Sequence, residues 1–179
     1  MIQAGTRFAP SILSQMAERQ EAGADDIWPV PDLFNIADMC CDRWAVAQPD
    51  RVALIDVRDD APQKHWTYAE LLRAATKLAY YFKSHHIVPG DRIAVLLPQG
   101  PEVLIAHFAA YRIGAIILPL FTLFGPDALA YRLRDSGAKL TITDAGSLKK
   151  LLPILPDLPE LERILFCGLN DKDTDCLLY

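Results

Sequence analysis

Glycine-rich phosphate loops are missing from this sequence. Its nine glycines stand singly, and no Gly-x-Gly-x-x-Gly, Gly-x-x-x-x-Gly-Lys-Ser/Thr, Gly-x-Ser-x-Gly or His-Glu-x-x-His occurs. Paired cysteines are missing too. Cys40 and Cys41 are adjacent and Cys167 and Cys176 are isolated, which excludes a Cys-x-x-Cys redox or zinc motif. There is no basic excess: the formal net charge is −5, opposite in sign to the face a dedicated nucleic-acid binder presents. The longest apolar run, Ile113 to Phe124, is interrupted by Pro119 and falls short of the ~20 residues that span a bilayer. Met1 to Pro10 lacks the apolar core of a secretory signal. Together these absences predict a soluble, cytoplasmic protein without a membrane span or nucleic-acid partner.

What is present is periodic. Between Val88 and Asp144, short aliphatic runs (Arg92 to Leu97, Ala115 to Leu118, Lys139 to Thr143) alternate with helix-length segments. Those segments open on Pro101 and Pro126, where a first helical turn tolerates a missing N–H, and close on Gly114 and Gly137, where a left-handed residue is wanted. Strands separated by helices need crossover connections, so the fold class is α/β, a mostly parallel sheet flanked by helices. Val52 to Val57 and Lys64 to Trp66, separated by Asp59-Asp60-Ala61-Pro62, predict a β-hairpin near Val52–Trp66. Glu162 to Cys167 reads as one further strand.

Thr67 and Glu70 have the spacing of a capping box, with Trp66 and Leu71 at the staple positions. Leu71, Leu72, Ala75, Leu78, Ala79 and Phe82 then form one apolar stripe. Upstream, Asp32 is the expected N-cap of a helix to about Ala47, with Leu33, Ile36, Ala37, Cys40 and Trp44 at helical spacing. Cys40 and Cys41 read as space-filling residues. The segment from Pro101 to Ile113 is apolar nearly all round and predicts a deeply buried helix. Its His107 reads as a packed, hydrogen-bonded histidine. His85 and His86 fall in a fraying last turn, where adjacent side chains diverge too far to share a metal. Asp144 to Ser147 can cap a short helix carrying Lys149 and Lys150. Residues 1–31 read as an N-terminal arm with a short amphipathic helix over Ser11 to Glu21, residues 32–167 as an α/β subdomain, and residues 168–179 as a truncated tail.

Five segments, in order, resemble the adenylate-forming ligase family of acyl-CoA synthetases, firefly luciferase and nonribosomal-peptide adenylation domains. They are Pro49-Asp50-Arg51-Val52-Ala53-Leu54-Ile55, Trp66-Thr67-Tyr68-Ala69-Glu70-Leu71, Pro89-Gly90-Asp91-Arg92-Ile93-Ala94-Val95, Tyr111-Arg112-Ile113-Gly114-Ala115 leading to Pro119-Leu120, and Tyr131 to Lys139. Leu120 to Asp127 looks most like the short- and medium-chain acyl-CoA synthetases.

The resemblance implies a two-step reaction in the full-length enzyme. A carboxylate attacks the α-phosphate of ATP to give an acyl-adenylate and pyrophosphate, and the thiol of coenzyme A then displaces AMP, with Mg2+ shielding the phosphates. The family's phosphate loop, adenine segment, ribose-binding aspartate and catalytic lysine have no counterpart in these residues. The expectation is therefore an N-terminal fragment, inactive alone, with no catalytic or metal-binding residue and no cofactor bound by itself. Its partner would be the remainder of the synthetase chain, with self-association through exposed apolar surface. By position, Thr122, Leu123 and Lys149 match residues near the coenzyme A nucleotide. The rival expectation is a stand-alone α/β binding or interaction module without catalysis.

Overall fold

The structure, a computed structural model, describes residues 33–58, 61–167 and 177–178. The expected arm over residues 1–31, its helix over Ser11 to Glu21, the Asp32 cap and the Asp59-Asp60 half of the expected turn lie outside the described residues, whereas Ala61 and Pro62, expected in that turn, belong to a strand. From Asn35 onward the described residues form one compact unit. This unit carries the hairpin, the main sheet and the helices that flank it.

Its first helix (α1, residues 36–47) starts where the Asn35 side chain accepts a hydrogen bond from the Ala37 N–H at 2.9 Å. A π turn over Asp38–Asp42 widens it before the regular turns of Arg43–Ala47. Through this turn the inward positions are Ala37, Cys41 and Ala45. Cys41 therefore fills space as expected, while Cys40 is exposed rather than packed. The hairpin follows as β1 (Val52–Arg58) and β2 (Ala61–Thr67), paired antiparallel.

The next helix, α2 (Tyr68–Ser84), opens on the predicted capping box. The Glu70 N–H donates to Thr67 Oγ1 at 3.2 Å, and Glu70 Oε2 accepts from the Thr67 N–H at 2.8 Å. Leu71, Ala75, Ala79 and Phe82 form its buried face. It ends where His86 takes a left-handed conformation (φ 62°) and the Ile87 N–H reaches back to the Phe82 carbonyl at 3.0 Å, a Schellman-type closure whose apolar Ile87 is buried.

The main sheet holds β3 (Arg92–Leu96), β4 (Ile116–Pro119), β5 (Leu140–Thr143), β6 (Arg163–Phe166) and β7 (Leu177–Leu178), in the order β4-β3-β5-β6-β7. All pairings are parallel except β6 with β7. The expected parallel α/β sheet is thus observed. Alternation along β3 splits the interior into two layers. Ile93, Val95 and Leu97 face α2 and α3 (Pro101–Arg112), together with Leu140, Ile142 and Leu165. Ala94 and Leu96 face Leu129 and Leu133 of α4 (Pro126–Ser136), Leu151 of α5 (Ala145–Leu151), and Ile154 of the 3-10 turn Leu152–Asp157.

The helix α3 departs from expectation. Only Pro101, Ala106, Ala109 and Ala110 are buried, whereas Leu104, Ile105 and Phe108 are half-exposed. The reason is steric: alanines let α3 press closely onto α2 and the sheet, so its bulky side chains are covered only in part, Val103 and Phe108 packing at the margin of that layer. His107 behaves as predicted, with Nδ1 bonded to the Val103 carbonyl at 2.7 Å.

The C-terminal end of α4 is fastened from the sheet. Gly137 is left-handed (φ 59°), and Arg92 on β3 donates from Nε to the Ser136 carbonyl and from Nη2 to the Gly137 carbonyl, both at 2.7 Å. The left-handed backbone favours glycine at 137, and a Cβ there would stand 2.8 Å from Arg92 Nη2 and push that guanidinium aside.

Candidate functional site

Parallel strands run their carboxyl ends to one edge of the sheet, where open α/β folds form their ligand crevices. Here that edge carries the loop after β4, residues 120–125, and the start of α5 after β5. The loop is built from backbone bonds. The Leu120 N–H donates to the Val95 carbonyl at 2.9 Å, the Phe124 N–H to the Phe121 carbonyl at 3.0 Å, and the Leu129 N–H to the Gly125 carbonyl at 3.1 Å. Leu120 is buried in the second layer, while the Phe121 and Leu123 side chains are exposed and Thr122 is half-buried. The Phe121 and Phe124 rings meet edge to face at 5.9 Å, and the Arg132 guanidinium lies 4.1 Å from the Phe124 centroid.

The short helix beside the loop begins with Asp144, whose Oδ1 accepts from the Ser147 N–H at 2.7 Å. Of its two lysines, Lys149 is exposed to solvent. Lys150 turns inward and donates from Nζ to the Thr122 carbonyl at 2.5 Å and the Phe124 carbonyl at 3.4 Å. The structure thus gathers Thr122, Leu123 and this helix into one neighbourhood, and the lysine that touches the loop is Lys150. Sequence reasoning missed it because consecutive helical residues point ~100° apart, and nothing local says which of two lysines faces the sheet.

Two further charged groups are buried or partly buried. Asp91 is 5% exposed; its carboxylate accepts from the Val88 N–H at 2.9 Å and from Lys139 Nζ at 2.8 Å. Burial alone would raise its pKa, but the Lys139 bond, the Val88 N–H and the Lys139 charge outweigh it and hold the carboxyl below its ordinary value. The Asp91 bond in turn raises Lys139. On α1, Asp42 pairs with Arg112 of α3. There burial dominates and raises Asp42 despite the guanidinium, and the neighbouring Cys41 thiol is pushed up to about 11, chiefly by burial and then by Asp42. A thiol held that high is inert at neutral pH. Both pairs tie distant segments together, and neither lines the sheet's carboxyl edge.

Among the described residues, no group of three His, Cys, Asp or Glu side chains could hold a metal, and no helix is long and apolar enough to cross a membrane. Away from the loop, a groove of about 410 Å³ lies between β1 and the start of α3, lined by residues that include Leu54, Ile55, Asp56, Gln99 and Leu104.

The AMP-binding enzyme family matches residues 41–176. The chain is 37% identical over 120 residues to an acetyl-coenzyme A synthetase of Emericella nidulans, an alignment covering 66% of this chain and 18% of that protein. It is 36% identical over 151 residues to acetyl-coenzyme A synthetase 2 of Candida albicans, covering 79% of this chain and 22% of that protein. An acyl-CoA synthetase of Brucella canis superposes with a TM-score of 0.68 at 32% identity, over 78% of this chain and 25% of that one. An anthranilate CoA ligase in complex with anthranoyl-AMP shares the fold at a TM-score of 0.70 and 24% identity, over 77% of this chain and 26% of that one. The chain therefore spans less than a quarter of the length of these curated relatives. With the match running from within α1 to beyond β6, and a solved acyl-CoA synthetase superposing on 78% of the chain, the chain belongs to the AMP-binding enzyme family.

Proposed function

We propose that this chain forms the coenzyme A-side support of an ATP-dependent acyl-CoA synthetase that joins a short carboxylic acid to coenzyme A and releases AMP and pyrophosphate. The observation that carries the reading is the ordered 120–125 loop at the carboxyl edge of the sheet, with an exposed lysine on the adjoining helix. Thr122 and Leu123 are the loop residues offered to the nucleotide of coenzyme A. Lys149, exposed and free to reorient, would supply one charge-assisted contact to a phosphate. The donor set fits that role: a hydroxyl, a backbone turn and an ammonium suit a phosphorylated nucleotide. It does not fit Mg2+ or the ATP triphosphate, because the described residues offer neither a carboxylate cluster nor a phosphate-cradling loop. Those groups belong to the remainder of the synthetase, which would also cover the partly exposed Leu104 and Ile105 of α3. A cytoplasmic location fits this chemistry.

Two experiments test the reading on the 179-residue chain. ATP–pyrophosphate exchange with acetate and longer acids should be absent, and measurable turnover would overturn the assignment of the catalytic groups to other segments. Titration with coenzyme A, followed by amide NMR, should shift Thr122, Leu123 and Lys149. Shifts confined to other residues, or none up to millimolar ligand, would refute the coenzyme A-side role and leave a binding module of another kind.

A further inference from the structure

We propose that Lys150 is a positioning residue: a clamp that fixes the 120–125 loop from beneath by holding two of its carbonyls, so that Phe121 and Leu123 are displayed outward in one conformation. Its consequence for coenzyme A rests on the function proposed above, whereas the clamp itself does not.

The loop is anchored at its ends by Leu120 and Phe124, while its middle has few other restraints. Only the Phe124 N–H closes within it, onto Phe121, and two of its apolar side chains face solvent instead of the interior. Loop residues that bury little and expose their backbone sample open states readily. Against that tendency stands one ammonium, contributed from a different helix, that bonds to the Thr122 and Phe124 carbonyls at 2.5 and 3.4 Å. The two oxygens bracket the exposed Leu123, so the clamp grips the turn on both sides of the residue it presents. Arg132, 4.1 Å from the Phe124 ring and bonded to the Ala128 carbonyl at 3.1 Å, supports the same turn from α4. A lysine is suited to this task because its ammonium carries three donors on a compact head, so two carbonyls can be satisfied at once. The clamp is also asymmetric in charge. It adds a positive centre directly under Thr122 while Lys149, one residue earlier, stays in solvent. The adjacent lysines thus divide the work, one ordering the loop and the other remaining available to a ligand.

The test is amide hydrogen exchange in the full 179-residue chain. In Lys150→Met, which keeps the stem and removes the donors, the Phe124 amide should exchange about tenfold faster, the expected effect of losing one charge-assisted hydrogen bond. The Leu120 amide, bonded to Val95, should not change, and Lys150→Arg should restore protection of Phe124. Lys149→Met should leave the loop as in the wild type. Unchanged exchange at Phe124 in Lys150→Met would overturn the clamp. A measurement on the wild type keeps the proposal testable even where the Met variant does not fold: the Lys150 ammonium should give a slowly exchanging NMR signal with a through-hydrogen-bond coupling to the Thr122 carbonyl. A freely exchanging ammonium would refute the clamp equally well. Coenzyme A titration of Lys150→Met separates the two ideas. Faster loop exchange with coenzyme A binding undiminished supports the clamp and refutes its role in ligand presentation. Weakened binding restored by Lys150→Arg supports both.

Discussion

The Asp91 carboxylate is the best place to perturb this fold, because one buried side chain closes the Val88 turn and ties it to Lys139. It caps the turn from Val88 by accepting that residue's N–H, binds Lys139 at the start of β5, and sits beside the Gly90 N–H that reaches the Gly114 carbonyl at the end of α3. Asp91→Ala removes both acceptors and leaves the Val88 N–H without its partner. A hydrogen bond to a charged group contributes about 1.5–3 kcal/mol, and an ion pair whose lysine reaches solvent adds less than that. The expected cost is therefore about 2–3 kcal/mol, or roughly 10 °C in Tm for a unit of this size. Lys139→Met should cost clearly less, because the Val88 bond survives and the lysine side chain is 29% exposed. Urea unfolding followed by far-UV circular dichroism at neutral pH measures both. The acid limb provides a second readout. Because the folded state holds Asp91 below its ordinary pKa, its stabilisation is fully present above the ordinary aspartate value of about 3.9 and is lost as pH falls through the lower folded value. Asp91→Asn should flatten that part of the stability profile. Equal losses in Asp91→Ala and Lys139→Met, or an Asp91→Asn profile parallel to the wild type between about pH 5 and 2, would refute the reasoning.

Two further outcomes rest on the same geometry. Thr67→Ala should destabilise by about 1 kcal/mol, since it removes the hydroxyl that satisfies the Glu70 N–H while the reciprocal bond from Glu70 remains; an unchanged unfolding midpoint would mean that the box contributes nothing. Thr141→Val should instead be neutral or stabilise by up to about 1 kcal/mol, because Thr141 is fully buried and its hydroxyl makes no hydrogen bond among the described residues; a loss of more than about 1 kcal/mol in thermal unfolding would argue that the hydroxyl has a partner.

Local chemistry made much of this protein readable in advance. The Thr67–Glu70 box, the prolines that open α3 and α4, and the glycines that close them are short-range signals, and each marks its helix end where the structure has it. Strand-helix alternation forced parallel pairing, because a parallel partner can be reached only through a crossover. Five short motifs in the right order and spacing also carried the family resemblance.

The misses share a cause: each required knowing what packs against a residue from far along the chain. An apolar perimeter predicted a buried α3, yet close approach through Ala106, Ala109 and Ala110 decided which side was covered. The π turn over Asp38–Asp42 put Cys41 inward and left Cys40 outside. Asp91 and Lys139 lie in separate strand entries that only the parallel register brings within 2.8 Å. At the candidate site, the family resemblance picked out Thr122, Leu123 and Lys149 and passed over Lys150, the lysine that touches the loop. Sequence by itself determined most of the elements, their order and the capped ends of α2, α3 and α4, because those depend on backbone bonding over a few residues. Only the tertiary structure decided that Lys150 turns to the loop and Lys149 to water, because that choice depends on how α5 is rotated against the β4–α4 connection.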